Sequence, residues 1–461
     1  MKDRLDGWTW DSGDDDTEAV PGPPARAWYA VPRLQRTPAQ SARAAGAWIR
    51  ARWIKLATVV TVLALSIGSW QTYHYLTRFH EQMSGPHGGF PAALGTAAPE
   101  RPGTVLASGD GPARVVGGLA LHEQSSGIMA SNVRTGRSYW HYGREKSALI
   151  DDSVVGDAVV LWYDDGLTVS VDLRSGKPRW HTKVAGAPRG ESGSQVWRAG
   201  NDTVILNQGL RLTALSAHKG KQLWSIAPPK GCKSWDSRPP VDLLGSEAFD
   251  AAHCAVPGGN DQVLYGIDAA RGTALWHVQE QFMGYGRLGD HTLVSEGLRD
   301  SLVTVDVSGT RPLTHTTKLS HEEGLRGLSD GMVLLGPDDT SLTARQVSND
   351  GSSKALWTVK AGKGRELGIS RIADGRVYIP EYRPRTKPRQ HIAPGLGQLL
   401  VLDARTGHEL HRTTLPTSLY ENAYGAEPGT MTVLSAGYGV VRIGWSGFLS
   451  PSSTEQVILA D

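Results

Sequence analysis

The sequence predicts an all-β fold, a β-propeller of seven to eight four-stranded blades with eight favoured, and three observations predict it. First, one phrase recurs: "VDLRSGKPRWH" at Val171–His181, "NVRTGRSYWH" at Asn132–His141, "SAHKGKQLWS" at Ser216–Ser225 and "DAARGTALWH" at Asp268–His277. Second, the glycine of the phrase falls at Gly136, Gly176, Gly220, Gly272, Gly309, Gly351 and Gly407, at intervals of 37 to 56 residues. A period of that length marks propellers and solenoids. Third, the chain before each glycine alternates with period two. In "LTVSVDL", Leu167, Val169 and Val171 face one way and Thr168, Ser170 and Asp172 the other, as on a half-buried strand.

Each element of the phrase has a physical task. Asp172, Asp268 and Asp403 stand where a hairpin turn begins, and a carboxylate there can accept backbone N–H bonds from the turn. Gly176, Gly272 and Gly407 tolerate the positive φ that such a loop needs. The tryptophan follows on the returning strand, always on the same face. A large flat ring at one fixed place in each unit is suited to interlocking neighbours. Tryptophan outnumbers phenylalanine fifteen to five, and five of the fifteen occupy this position, so the repeat accounts for a third of the tryptophans. The phrase is therefore read as architecture.

"VDLRSGKPRWH", "DAARGTALWHV" and "LDARTGHELHR" resemble the units of the PQQ-like (quinoprotein-type) β-propeller repeat family, over roughly residues 105–445. The resemblance implies one four-stranded blade per unit and a girdle between blades at Trp140, Trp180, Trp224, Trp276 and Trp357. Unit seven carries His411 instead, and unit five, "VDVSGTRPLTH", lacks both the full turn and the tryptophan. Beyond the seventh turn, "TMTVLSAG" and "GVVRIGW" need a blade of their own. Material near Thr104–Val116 is expected to complete it, because an open ring would leave strand edges exposed.

Ahead of the repeats, residues 1–54 read as a disordered cytoplasmic tail: seven acids in 1–18, then seven Lys/Arg and no acid from Arg26 to Lys55, interrupted by prolines. Residues 55–76 read as one transmembrane helix. "LATVVTVLALSIGSWQTYHYL", Leu56–Leu76, is uncharged over 21 residues and has aromatic residues near both ends. The basic flank precedes it, which places the N-terminus inside and the rest outside a bacterial cytoplasmic membrane. Residues 77–103 then form an extracytoplasmic linker and 104–461 the propeller. In that oxidising setting the two cysteines, Cys232 and Cys254, are expected to pair.

Some family members are quinone-dependent dehydrogenases, with a vicinal Cys-Cys pair, a Ca²⁺ site and a catalytic Asp. This sequence has no adjacent cysteines, and its paired acids, Asp151–Asp152, Asp164–Asp165 and Asp338–Asp339, read as turn residues. No catalytic residue, cofactor or metal is therefore assigned, and the Trp-His pairs fall at equivalent places on separate blades. A formal net charge of +2 gives no reason to expect nucleic acid. The expected function is a non-catalytic scaffold that binds a protein or anionic envelope polymer. A PQQ-dependent dehydrogenase and a ligand-sensing ectodomain signalling through the tail are the alternatives. The basic loop "IPEYRPRTKPRQHIAPGLG", 379–397, offers Arg383, Arg385, Lys387 and Arg389 as candidate partner-binding residues.

Overall fold

Alternating apolar runs punctuated by glycine turns fold as short antiparallel meanders, because each sheet buries its two faces against the sheets on either side. The computed structural model shows eight such sheets. It describes residues 53, 57, 58, 60 and 61 and most of 79–461. Within the latter it omits 110–113, 186–194, 201, 236–246, 255–261, 280–281, 298–300, 310, 320–323, 330, 337, 385–396, 418, 420–429 and 447–455. The chain divides into two units, Met1–Tyr75 and Leu76–Asp461. In the first, the five described residues are helical, and the expected tail and nearly all of the expected span lie outside the described residues. Among the described residues, no helix is long and apolar enough to cross a membrane.

In the second unit, blade 1 contains Arg114–Val116, Leu119–Gln124, Gly127–Asn132 and Ser138–Arg144, with Glu81–Ser84 as a fifth, outermost strand. Blades 2 to 6 follow as four-stranded meanders. Blade 7 has a broken inner strand, Glu366–Leu367 and Arg371–Ala373. The eighth blade decides the number. Thr430–Gly437, Val440–Ser446 and Gln456–Ala460 are joined by Thr104–Gly109, which pairs antiparallel with Gln456–Ala460. The expected N-terminal contribution is thus divided, since Arg114–Val116 opens blade 1 instead.

Eight apolar clusters fill the structure, one at each seam between adjacent blades. The cluster joining blade 8 to blade 1 contains Val440, Ile458 and Ala460 from one and Val115, Ala120 and Val133 from the other. A fully buried aliphatic side chain stabilises by about 1.5–3 kcal/mol, so the seams supply most of the cohesion.

The segment expected as a linker is, from Phe79 onward, fastened to the ring. Glu81–Ser84 pairs in register with His141–Arg144. The Ala98 amide donates to Asp374 Oδ2 at 2.6 Å, Tyr378 OH to the Pro99 carbonyl at 2.6 Å, and the Arg101 amide to Asp461 Oδ1 at 2.6 Å. Those contacts carry it from blade 1 across to blade 7.

Candidate functional site

The repeated phrase does what its chemistry predicts. Asp172 Oδ1 accepts the amides of Arg174 (3.1 Å) and Ser175 (2.7 Å) and the Ser175 hydroxyl (2.8 Å), and Asp403 repeats the pattern with Arg405 and Thr406. Asp268 Oδ1 accepts the Ala270 and Arg271 amides. Burial raises the Asp172 pKa, but hydrogen bonds from Arg179 and Ser175 outweigh it and the net shift is downward. Asp268 is held low by the Ala270 amide and Asp403 by the Thr406 hydroxyl, each on an exposed turn.

Gly176 has φ of 68°, and its amide donates to the Asp172 carbonyl at 2.9 Å. Its missing side chain also makes the seat for the preceding blade's tryptophan, since a Cβ there would come within 2.7 Å of Trp140 Cγ. The same seat recurs at Gly220 under Trp180, Gly272 under Trp224 and Gly407 under Trp357. Each of these indoles donates Nε1–H to a carbonyl of the next blade: Trp140 to Leu173, Trp180 to Ala217, Trp224 to Ala269 and Trp357 to Ala404, at 2.7–2.9 Å.

Trp276 departs from this pattern. Its Nε1 donates to Glu247 Oε2 of its own blade at 2.8 Å, although its ring still packs against the cluster shared with blade 5. The reason lies in the next turn, where Gly309 lacks the positive φ that makes the seat. In unit five His315 takes the tryptophan's place against Gly351, and Thr317 Oγ1 donates to the Gly351 carbonyl at 2.6 Å.

Cys232 and Cys254 form a disulfide between the first two strands of blade 4. Family enzymes bring a vicinal Cys-Cys pair against the quinone. A cross-strand bridge between cysteines 22 residues apart is a different element, so the residues here do not fit that group. Among the described residues, no group of three His, Cys, Asp or Glu side chains could hold a metal ion. Arg383 is exposed after the second strand of blade 7, while Arg385, Lys387 and Arg389 lie outside the described residues.

Two places at the inner strands were not predicted. The first corrects the reading of Asp151 and Asp152 as turn residues: both lie inside the strand Leu149–Val155, flanked by Leu149, Ile150, Val154 and Val155. Asp152 is 1% exposed and pairs with Arg114 at 2.8 Å. Burial and Glu123 push its carboxyl well up against the pull of Arg114. Asp151 accepts the Val196 amide of blade 3 at 2.6 Å, and burial raises its carboxyl to about 6. Arg442 of blade 8 is buried nearby and is lowered to about 10, by burial first and then by Arg114.

The second place is a cavity of about 1030 Å³ at the first strands of blades 5 to 8. It is bounded by the turn from Arg287 to Thr292, by Leu325–Ser329, by Ile369–Arg371 and by Thr432–Leu434. Its wall is shaped by the break in blade 7. There the Ser370 amide donates to the Arg326 carbonyl of blade 6 (3.0 Å) and the Ile369 amide to the Met431 carbonyl of blade 8 (2.9 Å). The close approach excludes a side chain at Gly368, where a Cβ would meet the Met431 carbonyl at 1.9 Å. Sequence reasoning missed Arg287, Arg326 and Arg371 because they belong to no shared phrase. Their one signal is an arginine in the short strand that opens each of three successive units.

Residues 102–205 match the PQQ_2 family, described as "Outer membrane protein assembly factor BamB". This bears out, over that stretch, the PQQ-like repeat read from the sequence. Among solved structures the chain is similar to BamB from Moraxella catarrhalis, at 15% identity over 78% of this chain and 99% of that one, with a TM-score of 0.45. It is also similar to the computationally designed protein Ika8 (12% identity, 81% and 100%, TM-score 0.46). A quinohemoprotein alcohol dehydrogenase from Pseudomonas putida is a further neighbour (12% identity, 77% and 75%, TM-score 0.43). No curated protein matches the chain in sequence.

Proposed function

We propose that this PQQ-like propeller is a membrane-tethered, non-catalytic module that binds another macromolecule outside the cytoplasmic membrane. The fold suits protein binding, because a closed ring displays loops from every blade on a rigid frame. The family description matched by residues 102–205 is an assembly factor, which favours a scaffold over a catalyst. Tethering is supported by the uncharged run Leu56–Leu76 and its basic flank.

One observation carries the reading furthest. Three residues beyond that run, at Phe79, the chain is gripped by the propeller. Glu81 Oε1 accepts the Tyr142 hydroxyl at 2.6 Å and bonds His181 Nε2, and the Phe79 ring stacks on His181 with centroids 4.3 Å apart. Arg144 donates Nε–H to the Phe79 carbonyl at 3.1 Å while forking onto Asp165. Such a grip suits a part that holds a partner near a membrane.

Crosslinking in intact cells, followed by mass spectrometry, tests the proposal. A reproducible partner joined to propeller lysines, together with protease cleavage of the propeller from outside, is the expected result. A propeller sealed inside the cell, or one that joins no partner, would sink it.

A further inference from the structure

Resting on that binding-module reading, the cavity between blades 5 and 8 indicates which part of a partner it takes. Among the described residues, its lining includes three arginines, Arg287, Arg326 and Arg371, and one acid, Asp290. Arg287 folds back on its own turn, donating Nε–H to the Gly289 carbonyl and pairing with Asp290. Arg326 pairs with Asp339 at 2.7 Å. Arg371 is exposed, and among the described residues it makes no ion pair.

The described lining also includes Leu325, Leu328, Ile369, Val433 and Leu434. The volume stands at the upper end of the roughly 300–1,000 Å³ usual for ligand pockets. An extended peptide presents successive side chains to opposite sides, so it can set carboxylates toward guanidinium groups and aliphatic groups toward the leucines. Arginine holds a carboxylate by two parallel N–H···O bonds, stronger than neutral contacts.

We propose that the cavity binds an extended acidic segment of a partner protein, with a carboxylate of that segment anchored on Arg371.

The test uses the purified full chain and short labelled peptides alternating leucine with glutamate, glutamine or lysine. The glutamate peptide is expected to bind about tenfold more tightly than the glutamine one, to weaken as salt rises, and to leave the lysine peptide behind. Arg371→Gln is expected to erase the preference for glutamate, and Arg371→Lys to restore part of it. Arg137→Gln, an exposed arginine of blade 1, is expected to change nothing. Equal binding of the glutamate and glutamine peptides, an unaltered preference in Arg371→Gln, or no binding of any peptide would each overturn the proposal. A partner still captured in cells under those outcomes would leave the scaffold reading standing, because that partner would then sit elsewhere on the ring.

Discussion

The two halves of the ring are built from the same repeat and use their centres differently. In blades 1 to 4 the inner strands are closed up. Asp152 is buried against Arg114, Asp151 ties blade 2 to the Val196 amide of blade 3, and a disulfide joins the first two strands of blade 4. Three consecutive seams there are riveted by an indole donating to the next blade. From the seam between blades 4 and 5 onward the rivets are irregular. Trp276 turns back to Glu247, His315 stands in for tryptophan at the next seam, and Trp357 alone keeps the full pattern. That half holds the cavity and its exposed arginine. The difference teaches that the outer phrase fixes the ring, while the inner strands, which the phrase does not constrain, are free to be a core in one half and the wall of a cavity in the other.

The largest expected effect would break this contrast at its root. Gly176→Val puts a side chain into the Trp140 ring at a positive φ, and about 4 kcal/mol of stability should be lost. At Gly309 the nearest atom to a Cβ is 3.6 Å away and φ is not positive, so Gly309→Val should cost less than about 1 kcal/mol. Denaturant unfolding of both variants measures the difference, and equal losses would remove the distinction between the halves.

Next comes the staple in blade 4. Replacing both Cys232 and Cys254 by serine should cost about 3 kcal/mol, with protease cutting appearing first within that blade.

Asp151→Asn follows, with a sign that depends on pH. The folded carboxyl titrates near 6, above its ordinary value of 3.8, so folding favours the protonated form. That contribution is complete below the unfolded value and is lost as pH rises through about 6. The asparagine variant should therefore match the parent near pH 4 and exceed it above pH 7, by at most about 3 kcal/mol. Melting curves at the two pH values check this, and a variant weakened at both would show that the carboxylate is needed as a charge.

The smallest effect belongs to the outer strap. Burial raises the Glu81 carboxyl, but bonds from His181 and Tyr142 outweigh it and the net shift is downward. Its contribution is present above about pH 4.5 and lost as pH falls below. Glu81→Gln should loosen the Glu81–Ser84 strand by about 1 kcal/mol at neutral pH, read as faster amide exchange there and nowhere else.

The parts of this molecule that the sequence made legible are those with a repeated local cause. A turn needs Asp172 and Gly176 whatever lies around it, and a seam needs an aromatic ring at a fixed offset, so both leave a period in the chain. The acids of the inner strand left none. Asp151 and Asp152 look like turn residues as a pair, and only the apolar residues on both sides mark them as buried. The cavity was harder still, since Arg287, Arg326 and Arg371 meet through the ring and not along the chain. Likewise "TVLAS" does not state that its partner is "QVILA", because any edge of similar length offers the same backbone groups.

That last pairing has a temporal consequence. Thr104 is made long before Ala460, and ribosomes add about 5–20 residues per second, so the first strand of the closing pair waits some tens of seconds for its mate. Throughout synthesis the nascent propeller is an arc with two raw ends, both able to recruit stray strands. Whatever shields Thr104–Gly109 during that interval, a chaperone or the chain's own preceding segment, sets the yield of finished rings.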